Sequence, residues 1–158
     1  MAVYSGRYSV PKFRIGIIAS RFNEFITRRL LESALETFEK AGIPVKKIDV
    51  VWVPGALEIP LFCQKLAQKK TYSVLLAIAC VIRGETHHFE CVAHEVTRGI
   101  AQVALSEGTP IATAVLTVEN LEQAIDRAGL KAGNKGAGAA LAALEISSLN
   151  SKLLSISR

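Results

Sequence analysis

Aromatic residues make up only 6% of this 158-residue chain, tryptophan occurs once, and cysteine occurs three times. The longest apolar run, Val74 to Ile82, is nine residues long. A membrane-spanning helix needs roughly 20 such residues, so no membrane partner is expected. Cys63, Cys80 and Cys91 cannot all pair, and no secretory leader pattern precedes them. A reducing, cytoplasmic location is the expectation. Runs of five or six like charges are missing as well; Lys46-Lys47 and Lys69-Lys70 are only pairs. That removes a basic tail for nucleic acid. Charged residues reach 21% against 50% hydrophobic, which excludes a disordered chain. So high an apolar share implies extensive burial, in part between copies. The net charge of +5 suits an anionic small ligand.

What is present is alternation. Ile15 to Ala19, Ile48 to Val53, Val74 to Ile82 and Ile111 to Val118 are short apolar runs of the kind buried parallel strands show. Between them lie helical patterns. The first carries Ile26, Leu30, Leu31, Ala34, Leu35 and Phe38 at steps of three and four before Gly42. A second runs from about Glu58 to Lys69, with Pro60 tolerated in its first turn. A third spans Thr86 to Ser106, with Phe89, Val92, Val96, Ile100 and Val103 on one face. Glu119 to Arg127 and Gly136 to Asn150 complete the set. Strand and helix in turn, with short connections, predict an α/β domain with a parallel sheet between helical layers. Residues 1–12 are read as an extended segment in front of one domain, 13–158. Tyr4, Tyr8 and Val10 there are expected to meet a sheet edge, on this chain or on a neighbouring subunit.

Ligands of open parallel sheets bind beyond the carboxyl ends of the strands. Those ends are followed here by Ser20-Arg21-Phe22-Asn23, Pro54-Gly55-Ala56-Leu57-Glu58, Arg83-Gly84-Glu85-Thr86-His87-His88 and Thr117-Val118-Glu119-Asn120. They are expected to share one rim. Gly84-Glu85-Thr86 precedes a helix, where free N–H groups favour an anion; capping by Thr86 is the simpler reading. His88 lies in the first turn beside that point and can act as general acid or base. Phe22 can stack on a planar ring or staple onto Ile26. His87, Cys91 and His94 share a helix face, a conceivable zinc face. They lack a paired-cysteine knuckle or a His-Glu-x-x-His, and solvated or interface side chains are expected instead. Glu58 suits a helix start. Arg127 and Lys135 bracket the glycine-rich segment from Gly129, which lacks the Walker order and reads as a solvated loop.

Five blocks carry a resemblance. Ser-Arg-Phe-Asn (20–23), Val-Pro-Gly-Ala-Leu-Glu-Ile-Pro (53–60), Val-Ile-Arg-Gly-Glu-Thr-His-His-Phe-Glu (81–90), Thr-Val-Glu-Asn-Leu-Glu-Gln-Ala (117–124) and Lys-Ala-Gly-Asn-Lys-Gly (131–136) occur in order. Their order and spacing resemble the lumazine synthase family over roughly residues 13–150. The resemblance implies a flavodoxin-like three-layer α/β/α sandwich with a four-stranded parallel core. It implies condensation of 5-amino-6-(D-ribitylamino)uracil with 3,4-dihydroxy-2-butanone 4-phosphate to 6,7-dimethyl-8-ribityllumazine, phosphate and water. This is the penultimate step of riboflavin biosynthesis, and no metal or organic cofactor is implied.

By the same resemblance Phe22 stacks on the pyrimidine, with Asn23 and Leu57 nearby. Ala56 and Glu58 hold the ribityl chain, Val81 and Ile82 line the ring pocket, and Lys135 orients its polar edge. Arg127 and the N–H groups of Glu85 and Thr86 hold phosphate, and His88 shuttles protons. Thr113 stands where the neighbouring subunit often contributes an aromatic, and Leu57 where Phe is frequent. Both remove flat apolar surface, which bears on affinity more than on reaction type. The implied partners are the two small-molecule substrates, further copies in a pentamer, and riboflavin synthase. The short Gly129 to Lys135 connection resembles that of members forming an icosahedral 60-mer. Rival readings are a catalytically weak riboflavin- or lumazine-binding relative and an assembly or carrier protein. A flavodoxin-like electron carrier fits worst, because those tend to be acidic.

Overall fold

A computed structural model describes residues 1–129 and 133–156. The four apolar runs form strands β1 (Arg14–Ser20), β2 (Ile48–Val53), β3 (Tyr72–Ile82) and β4 (Ile111–Val118). They make one parallel sheet in the order β2-β1-β3-β4. The helices are α1 (Glu24–Lys40), α2 (Ile59–Gln68), α3 (His88–Glu107), α4 (Leu121–Arg127) and α5 (Lys135–Ile156).

Alternate strand residues feed two cores. Ile15, Ile17, Val74, Leu76, Ile78 and Leu116 pack with α1, α4 and α5. On the opposite face Ile18, Val53, Leu75, Ala77 and Ala79 pack with α2 and α3. The three-layer α/β/α expectation therefore holds, because each strand alternates between two covered faces. Burying a leucine or isoleucine side chain in either core stabilises the fold by about 1.5–3 kcal/mol.

Local chemistry sets the ends. Gly42 has φ +79°, and its N–H donates to Glu39 O while that of Ile43 donates to Phe38 O. This left-handed stop lays Ile43 on Phe38 in the core and ends α1. Two bare positions permit close helix packing. A Cβ on Gly99 of α3 would lie 2.7 Å from Pro60 Cγ of α2, and one on Gly136 of α5 would lie 2.0 Å from Leu30 O of α1.

Several expected boundaries shift. A 3-10 turn over Ala56–Glu58 precedes α2, so the helix proper starts at Ile59. Helix α3 starts at His88, with His87 rather than Thr86 at its cap position. Thr86 Oγ1 only accepts the His88 N–H at 3.4 Å, so the capping reading is corrected. Helix α4 begins at Leu121, because the Asn120 side chain accepts the Gln123 N–H at 2.9 Å. Helix α5 continues six residues past Asn150, since nothing in Ser151–Ile156 stops it.

Residues 1–12 take no regular structure; Gly6 is seated against Glu145 of α5, and Lys47 Nζ donates to Pro11 O at 2.9 Å. Among the described residues no helix is long and apolar enough to cross a membrane.

Candidate active site

The strand order reverses between β1 and β3, and a cavity of about 400 Å³ opens there at the carboxyl ends of the strands. Its walls come from three of the four expected segments. Phe22 stands after β1, Gly55 to Glu58 after β2, and Cys80 to Ile82 at the end of β3. Gly84, Thr86 and His88 close the rim.

Backbone ladders hold these side chains in place. Arg21 N–H donates to Val53 O at 2.8 Å and Phe22 N–H to Pro54 O at 3.0 Å, continuing the β1–β2 pairing past the strand end. Phe22 is 71% exposed while Ile26 is 1% exposed, so little of Phe22 is covered by the helix start. Its ring instead offers an apolar surface at the cavity. Asn23 adopts a left-handed conformation (φ 58°), and its side-chain Nδ2 donates to Cys80 O at 2.9 Å. It ties β1 to β3 and does not line the cavity.

Glu58 is fixed by the turn that carries it, as its Oε2 accepts the Gly55 N–H at 2.7 Å. Ala56 and Leu57 share that wall, and Leu57 is exposed. Val81 and Ile82 supply apolar surface beside them. Burial pushes the Cys80 thiol up to about 12, so it stays protonated at neutral pH and is no nucleophile. The chemistry-bearing groups of the cavity are the Glu58 carboxylate, the Thr86 hydroxyl and the His88 imidazole. Glu85 is exposed and outside the cavity wall.

The remaining expected residues sit elsewhere. Thr113, Arg127 and Lys135 line a second cavity of about 540 Å³ along the edge of β4, together with Thr117 and Gly138. Within one chain Arg127 does not share a cavity with Thr86. Three of the four strand-end segments thus meet at the first cavity, while Thr117 of the fourth lines the second; β4 is an edge strand, and α4 and α5 bring Arg127 and Lys135 to that second cavity. Asn134 shapes that side. Its Nδ2 donates to Ala128 O at 2.6 Å and its Oδ1 accepts the Gly136 N–H at 2.7 Å, which caps α5 and closes the α4–α5 connection. Leu130, Lys131 and Ala132, part of the expected glycine-rich block, lie outside the described residues.

Sequence reasoning missed two groups. Phe89 and Val92, read as core stripe, are half-buried and line the first cavity. Arg83 was only one member of a segment, yet it contacts Glu90, Glu119 and Phe89 at once. Its signal was a lone arginine between Ile82 and Gly84, with acidic residues at strand and helix ends nearby. His87 at the start of α3 and Cys91 and His94 on it are exposed, and no three His, Cys, Asp or Glu side chains among the described residues are placed to hold a metal ion.

The cavity thus offers an aromatic face, a held carboxylate and an imidazole, while a second, cationic cavity lies at the sheet edge. The family model described as 6,7-dimethyl-8-ribityllumazine synthase matches residues 12–151, and by that match over most of its length the chain belongs to this family.

Proposed function

We propose that the family's condensation takes place here in sites completed between adjacent copies of the chain. The reaction itself is that of a transferase in riboflavin biosynthesis: 5-amino-6-(D-ribitylamino)uracil and 3,4-dihydroxy-2-butanone 4-phosphate give 6,7-dimethyl-8-ribityllumazine, phosphate and water. One observation carries the shared site. Phe22, Glu58 and His88 line one cavity, whereas Thr113, Arg127 and Lys135 line another on the edge strand. One chain holds two different halves, and a closed ring of copies apposes them.

In this reading the pyrimidine stacks on Phe22 against Val81 and Ile82, and Glu58 with the Ala56 backbone holds the ribityl hydroxyls. Lys135 of the next copy orients the polar edge of the ring. Arg127 of that copy, with the N–H groups of Glu85 and Thr86, holds the phosphate. The amine attacks the ketone and the carbinolamine loses water; phosphate then leaves, and the second nitrogen attacks the remaining carbonyl and closes the ring with loss of a second water. Each step moves a proton, and His88 at the cavity rim accepts and returns it. The cation and N–H donors stabilise charge on the departing phosphate. Holding two reactive partners together supplies much of the remaining acceleration.

Assembly follows from the same reading. A pentamer is the expected ring, and a connection as short as the one Asn134 closes supports further closure into a 60-mer. The exposed edge of β2 is where residues 1–12 of a neighbour would add. Cys63, Cys80 and Cys91 are free thiols, which fits a reducing cytoplasm. Riboflavin synthase is the expected protein partner.

Co-assembly tests the shared site. Glu58→Ala and Arg127→Ala proteins, each weak alone, are denatured, mixed and reassembled. Phosphate release and the lumazine chromophore are then followed together. Random mixing makes about a quarter of the interfaces fully wild type, so activity reappears in the mixture. A mixture no more active than its parents would place the whole site within one chain.

A further inference from the structure

Arg83 lies between two residues of the first cavity wall, Ile82 and Gly84, yet is not itself part of that wall. Its backbone N–H donates to Val118 O at 2.9 Å, extending the β3–β4 ladder by one step. The side chain turns toward the helix start. One guanidinium nitrogen pairs with Glu90 in the first turn of α3, and Nε pairs with Glu119 Oε2 at 2.5 Å, beyond β4. The guanidinium carbon also sits 4.4 Å from the Phe89 ring centroid. A single side chain thereby joins the end of β3, the first turn of α3 and the β4–α4 turn.

We propose that Arg83 is a positioning residue for the reaction, which holds the Gly84–His88 turn so that the Thr86 N–H and the His88 imidazole face the substrate phosphate. The inference rests on the reading of that turn as the phosphate and proton-transfer side of the site. Three features support it. His88 precedes the two anchored residues Phe89 and Glu90 on the same helical turn, so their placement sets its own. Few other contacts hold the turn: a Cβ on Gly84 would meet nothing within 4 Å, and the helix start has only the long contact of the His88 N–H with Thr86 Oγ1 at 3.4 Å. Finally, Glu90 and Glu119 face one cation; without it two carboxylates would share that space, one with a buried oxygen that has no hydrogen-bond partner among the described residues. The Glu90 carboxyl is held below its ordinary range chiefly by the hydrogen bond from Arg83.

An exposed ion pair by itself is worth little. Here a planar guanidinium serves two carboxylates and stacks on a ring, a combination lysine cannot reproduce. The guanidinium is thus committed to protein groups and is not the phosphate ligand.

The experiment compares Arg83→Ala, Arg83→Lys and Glu119→Gln with wild type as the assembled enzyme. It measures KM for each substrate, and amide hydrogen exchange over residues 84–90 without substrate. For Arg83→Ala, faster exchange there and a KM for the dihydroxybutanone phosphate raised about tenfold are expected, since small misplacements of positioning groups are costly. Affinity for the pyrimidine stays near the wild-type value. Glu119→Gln and Arg83→Lys move the same KM in the same direction by less. Unchanged exchange in Arg83→Ala overturns the proposal, and so does faster exchange with unchanged KM. A lower KM for the phosphate substrate in Glu119→Gln also overturns it, because freeing the guanidinium would then have created a direct ligand. Failure of the functional reading is separate: it would appear in the wild-type protein as no lumazine above the uncatalysed rate, whereas the exchange measurement needs no turnover.

Discussion

The Glu58 carboxylate accepts the Gly55 N–H at 2.7 Å, so an acidic group facing the first cavity is oriented by the backbone turn that presents it. The pairing separates two roles that mutation can read apart. Glu58→Gln keeps a carbonyl oxygen for Gly55 but presents a weaker acceptor to ligand hydroxyls. It should leave the melting temperature nearly unchanged and weaken the ribityl-bearing substrate about tenfold, as befits a loss of about 1–2 kcal/mol. Glu58→Ala should add a stability loss of about 1 kcal/mol from the missing turn bond. Fluorescence titration and thermal denaturation check both. Wild-type affinity in Glu58→Gln would take the carboxylate out of ligand recognition.

His88 stands at the cavity rim with Thr86. His88→Ala should slow turnover by about 10²–10⁴-fold, the usual span for general acid–base catalysis, and leave measurable activity because positioning persists. Arg127→Ala should instead raise KM for the phosphate-bearing substrate more than for the pyrimidine. Stopped-flow formation of the chromophore at varied concentrations of each substrate separates the two. Equal weakening of both substrates by Arg127→Ala would contradict its assignment to phosphate.

Gly136 brings α5 onto α1 at a spacing no larger residue allows, since an added Cβ would lie 2.0 Å from the Leu30 carbonyl oxygen. Gly136→Ala must push the two helices apart despite the better helix propensity of alanine. A destabilisation of about 1–3 kcal/mol is expected, the range for overpacking. Chemical denaturation measures it, and a neutral or stabilising result would mean that the helices can shift at no cost.

At the opposite end of the sheet Arg14 pairs with Asp49 at 2.5 Å, and Tyr72 Oη donates to the same carboxylate at 3.0 Å. The Arg14 hydrogen bond is the main reason the Asp49 carboxyl lies below its ordinary range. A group with a lowered folded-state pKa contributes stability above its unfolded value and loses it as pH falls through the folded one. The loss should therefore set in below about pH 5, where an unperturbed aspartate begins to protonate, and deepen as the pH falls further. Asp49→Asn should be less stable than wild type near neutrality, and the gap should close in acid. Melting curves from neutral pH downward test this; a constant gap would mean that the pair contributes no linkage.

The sheet was readable in the sequence because its strands are bounded by residues that break pairing. Strand β2 stops where Pro54-Gly55 begins, and β4 follows Pro110 at Ile111, both at the expected positions. The start of α3 was not readable in the same way. Thr86 has the chemistry of a cap, but a turn beginning at Gly84 delays the helix to His88, which only geometry reveals. Most of the first cavity could be named from strand ends alone. Its separation from Arg127 and Lys135 could not, since spacing along a chain does not tell on which side of an edge strand a later helix delivers its cations. The contacts of Arg83 were hidden for a related reason: Glu119 is 36 residues away in sequence.

The order β2-β1-β3-β4 also bears on how the protein is made. As the chain leaves the ribosome, β1 can meet β2, then β3 joins the free side of β1, and β4 joins the free side of β3. No strand has to be inserted between two that are already paired, so the sheet can extend in the order of synthesis. Its two faces do not finish together. The layer of α2 and α3 is complete before β4 emerges, whereas the other face waits for α5 to cover Leu76, Leu116 and their neighbours beside α1. The nascent protein therefore passes through a stage with one apolar face open to water, and α5 is the segment that ends it.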